Sequence, residues 1–414
     1  MTRTIASLAA TLMVIVAGIA QDLSGEARRL MDRPETKRAF EHVDASRDQI
    51  LAEWISLTEL NAPSGKERER AEAVRRSLER CKLDRVYYDS KGNLIAIRKG
   101  KGGVKPVVFD AHLDTVFQEG LKIKAQVRDG KVFAPGVGDD TRNVEALLAS
   151  IRALDEAQIR TRADLIFVFT VEEETSFGGV RSFVADNKDR IGLYVALDGG
   201  YQGLTYGGIG INWYKYHFIG PGGHTRSKTP PYSATLPLAR AIIRINQLEL
   251  PRDPEVNLNI GMLGGADVVN AKAADAWFTV DLRSTDQKSI DDFEQRIGQI
   301  VKEEAERFGM QVRTELPEEK LPAAQLAGHR NSFLVRMAEG VHHAIGFDSV
   351  PVTATASNNA NVALLAGLPA ISTGAGPCGG DHSLGEWCEI EPFYKGIKKV
   401  ILLEVALAGL DGEM

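Results

Sequence analysis

Residues 164–175 read DLIFVFTVEEET. The run Leu165–Phe169 is short, apolar and rich in β-branched and aromatic residues, the composition of a buried strand. Three carboxylates, Glu172, Glu173 and Glu174, follow it at once. On a loop in water such a triplet is unremarkable. At the end of a buried strand the three charges repel one another and resist desolvation. A cation beside them reverses that cost, because the ion inverts the local pKa logic. One Glu can then ligate while its neighbour stays free as a general base.

Working outward, Leu193–Leu197 (LYVAL), Pro106–Asp110 and Asn93–Arg98 also read as strands. Val144, Leu147, Leu148, Ile151 and Leu154 recur at helical spacing, as do Ala71, Val74, Leu78 and Cys81. Ser64 and Glu67 are spaced as a capping box for that second helix. Residues 21–45 read as a polar linker and helix start. Strands alternating with helices indicate an α/β layer fold. The pattern changes near Tyr206. A Gly- and aromatic-rich strand (Tyr206–Ile219) leads to a helix carrying Leu236, Leu238, Ile242, Ile245 and Leu248, then strands at Val256–Leu263 and Ala274–Leu282. A second helix carries Phe293, Ile297, Ile300, Val301 and Phe308 and stops at Gly309, and Gln311–Glu315 closes the series. This is the order of a small α+β sandwich. The expected organisation is therefore a catalytic domain, residues 45–206 and 320–414, interrupted by an inserted domain, residues 207–319.

Length supports two domains: 414 residues exceed one ordinary core. A net charge of −6, with no Lys/Arg block interleaved with aromatics, argues against a nucleic-acid partner. Arg3 followed by the uncharged Ile5–Ala20 and small residues at its end reads as a secretory signal, residues 1–20, cut after Ala20. An uncleaved membrane anchor and a start-site artefact are the alternative readings of the same segment. Export to the periplasm or medium is the expectation. Cys81, Cys378 and Cys388 are too few for a disulfide framework. Cys378 and Cys388 bracket His382, and either pair in an oxidising compartment or remain thiols.

The chemistry-bearing residues sit at ends of apolar runs or in Gly-rich turns. Pro106–Val116 (PVVFDAHLDTV) places His112 and Asp114 two apart, on one side of an extended chain, where Asp114 can accept the second ring N–H of a metal-bound imidazole. Gly136–Asn143 (GVGDDTRN) offers Asp139 and Asp140 ahead of a helix, one as a cap and one as a metal bridge. Asp198 ends the LYVAL run, and His382 lies in GPCGGDHSLGE. Carboxylates and imidazoles collected at strand ends fit the place where open α/β sheets build active sites, and a metal site of oxygen and nitrogen ligands.

In order and spacing, HLDTV, GVGDDT, TVEEE, ALDGG, GPGGHT and GGDHS resemble the zinc-dependent exopeptidases and deacylases typified by peptidase T, glutamate carboxypeptidase and acetylornithine deacetylase. The resemblance covers the chain after the signal segment. It implies an α/β fold with a central mixed sheet and flanking helices, plus an inserted α+β sandwich acting as lid or dimerisation domain. It implies two divalent ions, zinc in that family, held by His112, Asp139, Glu174, Asp198 and His382. Asp114 supports His112, and Glu173 becomes the general base; Glu172–Glu173 is the alternative register. His224, in GPGGHT, is implied to reach the scissile carbonyl, often in the neighbouring subunit of a homodimer. Arg283 is a candidate carboxylate clamp or an ordinary surface ion pair. Asn270 and Gly374 are further candidates for the pocket. The chain departs from many members at Thr141, where they carry Lys, and at Arg142, where they carry Gly. The implied activity is hydrolysis of a peptide or amide bond in a small substrate by metal-activated water. An exopeptidase or dipeptidase reading comes first and an N-acyl-amino-acid deacylase or carboxypeptidase second. A non-catalytic binding protein on the same fold is the distant third.

Overall fold

Four parallel strands set the place of the site. In a computed structural model, which describes residues 23–315 and 321–411, Leu165–Thr170, Val107–His112, Leu193–Ala196 and Ala370–Ser372 lie side by side in that order. The registers pair His112 with Thr170, Asp110 with Ala196, and Ala196 with Ser372. The carboxyl ends of all four therefore open on one edge. Leu94–Arg98 and Arg85–Tyr88 extend the sheet antiparallel on one side. Leu204–Thr205 and Val352–Thr353 complete eight strands on the other. The Val107–His112 strand is buried along its whole length, as expected where helices cover both faces.

Thr141–Glu156 and Ile390–Ala408 are long helices of this unit that bury most of their residues. Trp54, on Arg47–Glu59, is fully buried, packs on Phe393 at 4.5 Å and donates its indole N–H to the Val137 carbonyl at 2.9 Å. That bond satisfies the one polar atom of a large apolar side chain just ahead of the Asp139 turn. A four-stranded sheet of Cys378–Gly379, Trp387–Glu389, Lys131–Phe133 and Gln126–Arg128 presents the loop carrying His382. Cys378 and Cys388 form a disulfide across the base of that loop, with Cα atoms 4.0 Å apart.

The chain divides into two compact units, and Gly208–Gln325 forms the second. Its sheet is antiparallel: Val256–Asn259, Asp275–Ser284, Gly210–Ile219 and Gln311–Glu315, with Leu263–Gly265 on the Asp275–Ser284 strand. Along Asp275–Ser284 burial alternates strictly, so one face meets the helices Thr235–Asn246 and Gln287–Arg307 and the other does not. Asp286 caps the second of these helices by accepting the Ser289 N–H.

Three expectations change. From residue 23 to 45 the chain is helix rather than linker: Leu23–Asp32 and Pro34–Ala45 bury Ala27, Leu30, Thr36, Ala39 and Val43. Small and polar members of that stripe hid its period. The Ser64–Glu67 capping box does not form. The helix starts at Arg68; Ser64 donates to Asp114 (2.6 Å), and Glu67 accepts the N–H groups of Gly65 (2.7 Å) and Glu172 (3.0 Å). The insertion runs past residue 319, because Leu321 and Ala324 bond back to Ile211 and Gly208. The signal-like Ile5–Ala20 lies outside the described residues. Among the described residues no helix is long and apolar enough to cross a membrane.

Candidate functional site

His112 is the last residue of its strand and is buried. Its N–H donates to Asp140 Oδ2 at 2.9 Å. Its ring Nδ1 lies 3.1 Å from the Asp114 carbonyl oxygen and 3.5 Å from Asp114 Oδ1. The carbonyl is thus the nearer partner, and it fixes Nδ1 as the N–H and Nε2 as the free nitrogen. Nε2 lies 3.0 Å from Asp139 Oδ1 and 4.0 Å from Glu173 Oε2. From the other side, His382 Nε2 lies 3.1 Å from Asp139 Oδ2 and 3.2 Å from Glu174 Oε2. Two imidazoles therefore reach opposite oxygens of one carboxylate, Asp139. Asp198 joins His112, Asp139 and Asp140 in a set whose candidate ligand atoms lie within 4.8 Å of one another.

The chain builds this cluster with backbone donors. Asp114, fully buried, accepts the N–H groups of Glu173 and Glu174, each at 3.0 Å, and so sets the Glu pair in place. Glu172, left-handed at φ 56, turns its carboxylate to Lys91 (2.8 Å) and away from the cluster. The Glu173–Glu174 register is the one that converges. His382 is also left-handed, φ 62, a conformation costing a non-glycine residue about 1 kcal/mol. The Asp139–Asp140 peptide is cis. Glu386, fully buried, accepts the N–H groups of Gly136, Gly138 and Asp139 at 2.7–2.8 Å and holds the turn that presents Asp139.

Electrostatically the cluster is in conflict with itself. Burial pushes Glu174 up to about 7 and Asp198 to about 6, and raises Glu173 well above the carboxylate range. Burial works against charge on His112, yet Asp140 and Glu173 hold its pKa well above the imidazole value. The Asp139 hydrogen bond raises His382 to about 9. Glu174 Oε1 is buried with no hydrogen-bond partner among the described residues. Two imidazoles with raised affinity for protons, and an orphaned carboxylate oxygen, are what remains when cationic charge is wanted at one place. The donor set, imidazole nitrogen with carboxylate oxygen, suits a divalent transition metal.

With that geometry in hand, comparison with known proteins is decisive at the family level. The model of peptidase family M20/M25/M40 matches residues 108–403. The chain belongs to this family. Among curated relatives, carboxypeptidase G2 of Pseudomonas sp. (strain RS-16) is 26% identical over 137 residues, 32% of this chain and 33% of that protein. A putative LysW-lysine/LysW-ornithine hydrolase of Pyrococcus furiosus is 30% identical over 151 residues, 36% of this chain and 42% of its own length. The chain thus spans well under half of either relative. Among solved structures, the aminopeptidase PepT of Bacillus cereus superposes with a TM-score of 0.75 at 21% identity, covering 88% of this chain and 99% of that one. A dinuclear metal-binding M20 peptidase of Bacillus subtilis gives 0.68 at 14%, covering 88% and 99%. At such identities the likeness establishes the fold, a mixed α/β sheet of the zinc exopeptidase type.

The other anticipated residues of this M20 chain fall in several places. Gly374 sits where a Cβ would lie 2.2 Å from the Gly199 carbonyl oxygen, so only glycine fits beside the loop that follows Asp198. In the second unit, His224 is exposed on the short strand Gly223–His224 and pairs with Ala271. Its Nδ1 accepts the Arg226 N–H at 3.1 Å, which leaves the proton on Nε2. The Asn270 carbonyl accepts the Thr225 N–H beside it, at 3.1 Å. Arg283 is bound to Asp281, its Nε 3.0 Å from Oδ1. Sequence reasoning passed over Glu386 and Lys399 and read Ser64 only as a helix cap. Lys399 is fully buried and donates to the Tyr201 carbonyl (2.8 Å), Thr373 Oγ1 (2.8 Å) and the Gly374 carbonyl (2.7 Å), joining the two loops that flank Asp198. A lysine immediately ahead of the apolar run Val400–Leu403 was its available signal.

Proposed function

We propose that the protein is a metal-dependent hydrolase of peptide or amide bonds in small substrates, an exopeptidase or dipeptidase first. The observation that carries this reading is the approach of His112 and His382 to opposite oxygens of Asp139, with Glu174 and the buried Glu173 beside them. In this reading His112, Asp139, Glu174, Asp198 and His382 hold two divalent ions, zinc by preference. Such ions lower the pKa of a water and polarise the scissile carbonyl. Glu173 takes the proton of the attacking water and returns it to the leaving amine, which its buried, high-pKa carboxyl suits. Asp114 keeps Glu173 and Glu174 in register through their backbone N–H groups. His224 offers its Nε2–H to the developing oxyanion. The second unit serves as lid and as the contact of a homodimer. Export through the N-terminal segment is part of the same reading, and the Cys378–Cys388 disulfide suits an oxidising compartment.

A second reading, an N-acyl-amino-acid deacylase or carboxypeptidase, draws support from the names of the curated relatives, carboxypeptidase G2 among them. Metal analysis of purified protein, followed by a panel of dipeptides and N-acyl amino acids, separates the two. About two divalent ions per chain and turnover of dipeptides are expected. Turnover confined to N-acyl amino acids selects the second reading. Metal-loaded protein that cleaves neither class refutes the hydrolase.

A further inference from the structure

A cavity of about 490 Å³ has Asp139 and Asp198 in its wall and so adjoins the cluster described above. Arg142, Tyr201 and Gln202 line the same cavity. Arg142 begins the helix that follows the Asp139 turn and is only 6% exposed. A guanidinium carries five N–H donors. The Arg142 guanidinium makes one hydrogen bond, to the Gly199 carbonyl at 2.5 Å, and its Nε is buried without a partner. Among the described residues no carboxylate pairs with it within 4.0 Å. That is unusual, because a buried arginine is ordinarily paired.

Asp381 lies in the same cavity wall without an ion pair to Arg142, and the acids nearest Arg142 have other partners. Asp140 accepts the His112 N–H and the Asn143 side chain, and Asp198 belongs to the candidate ligand set. Lys399, also buried, gives its three close hydrogen bonds to neutral oxygens, so it brings no negative charge to this side of the site. The Tyr201 hydroxyl is a second buried group without a partner. The cavity wall thus carries a cation with no carboxylate in direct contact, attracted only at longer range by Asp140 and Asp198, next to the place where bond cleavage is expected. A carboxylate is the group whose two oxygens match a guanidinium fork. Tying down the Gly199 carbonyl alone needs one neutral donor, not a desolvated cation.

We propose that Arg142 is a specificity residue that receives a carboxylate of the substrate in this cavity. The proposal rests on the hydrolase reading. It assigns the substrate a negative charge close to the scissile bond, on the side of Asp198. That carboxylate is either the main-chain terminus or an acidic side chain, and matched substrate pairs tell them apart.

The test is steady-state kinetics of the full-length, metal-loaded protein and its Arg142→Met and Arg142→Lys variants. One substrate pair differs in a free C-terminal carboxylate against its amide, the other in a Glu against a Gln side chain. Arg142→Met is expected to raise KM about 10²-fold for the charged member of one pair and to leave the neutral member within about twofold. Arg142→Lys keeps the charge without the fork, and about a tenfold rise on the same member is expected. It also carries the test if Arg142→Met does not fold. Calorimetric titration with the charged product and its amide gives a readout independent of turnover, and the variants should lose only the charged ligand. Equal losses on both members of each pair, or none, overturn the proposal and leave Arg142 as a tie for the Gly199 loop. Wild-type protein that loads metal yet cleaves no member overturns the hydrolase reading itself, a distinct result.

Discussion

The two units differ in that only the first carries a set of buried carboxyl groups raised by desolvation beyond what their partners offset. In the unit that holds the site, burial lifts one set of them, Asp110, Glu174 and Glu386 to about 7, Asp198 to about 6 and Glu404 to about 8, while hydrogen bonds from the imidazoles lower Asp114 and Asp139 against their burial. In the inserted unit partners lower them. Arg313 and Lys215 bring Glu315 down to about 2, Ser289 lowers Asp286, and Arg240 and Arg244 lower Glu304 against its desolvation. The sheets differ in the same sense. Central strands of the first unit are buried on both faces and end at one edge. Those of the second alternate, leaving one face for paired charges. An acid in the second unit stabilises its fold. Several acids in the first destabilise theirs, and they cluster where a cation or a proton transfer would use them.

That contrast predicts where a single isosteric change costs activity. Glu173→Gln should reduce turnover by about 10²- to 10⁴-fold, the range of general-base removal, while metal content and melting temperature hold. Loss of metal instead would make Glu173 a ligand and shift the register of the pair. His224→Ala is the corresponding change in the second unit. Turnover should fall about 10²- to 10³-fold, as for other oxyanion donors, with metal content and molecular mass in solution unchanged. If turnover is unaffected, His224 is an exposed turn residue and the second unit supplies no catalytic group.

The fold was largely legible because its strands carry strong signals. Leu165–Thr170 and Leu193–Ala196 are uninterrupted apolar runs, and Gln311–Glu315 was bounded by Gly309. The Leu23–Asp32 and Pro34–Ala45 helices were missed because their buried stripes include Ala and Thr among many charges. Within the site, the side chains that touch one another were legible from residue type and position at strand ends. What holds them was not. Ser64 looked like a cap and instead bonds Asp114, and Glu386 acts through three backbone N–H groups that leave no trace in side-chain spacing. Arg142 stood out only as a departure, and its missing partner became visible once burial was known.

The smallest expected effect is the sharpest check on the contrast, because Glu404 in the first unit and Glu304 in the second should respond to pH with opposite sign. Glu404, on Ile390–Ala408, is fully buried. Ser150 bonds one of its oxygens, and the other has no partner among the described residues. Burial raises its folded pKa from the usual 4.5 to about 8. Below about 4.5 the carboxyl is neutral in both states and has no effect on folding. Between there and about 8 the unfolded chain releases the proton while the folded chain keeps it, so stability falls as pH rises. Glu404→Gln removes that penalty and should raise the melting temperature by a few degrees at pH 8, with little change near pH 5. Glu304 is the opposite case. Its pairing with Arg240 and Arg244 lowers the folded pKa, so its contribution is full above about 4.5 and is lost as pH falls through the folded value. Glu304→Gln should therefore lower the melting temperature at pH 7 by a few degrees, and the difference should shrink in acid. Melting curves of both variants across pH 4–9 measure the two slopes. Slopes of the same sign would mean that burial at Glu404 is offset by interactions beyond Ser150, and the division between the units would then not extend to their stability.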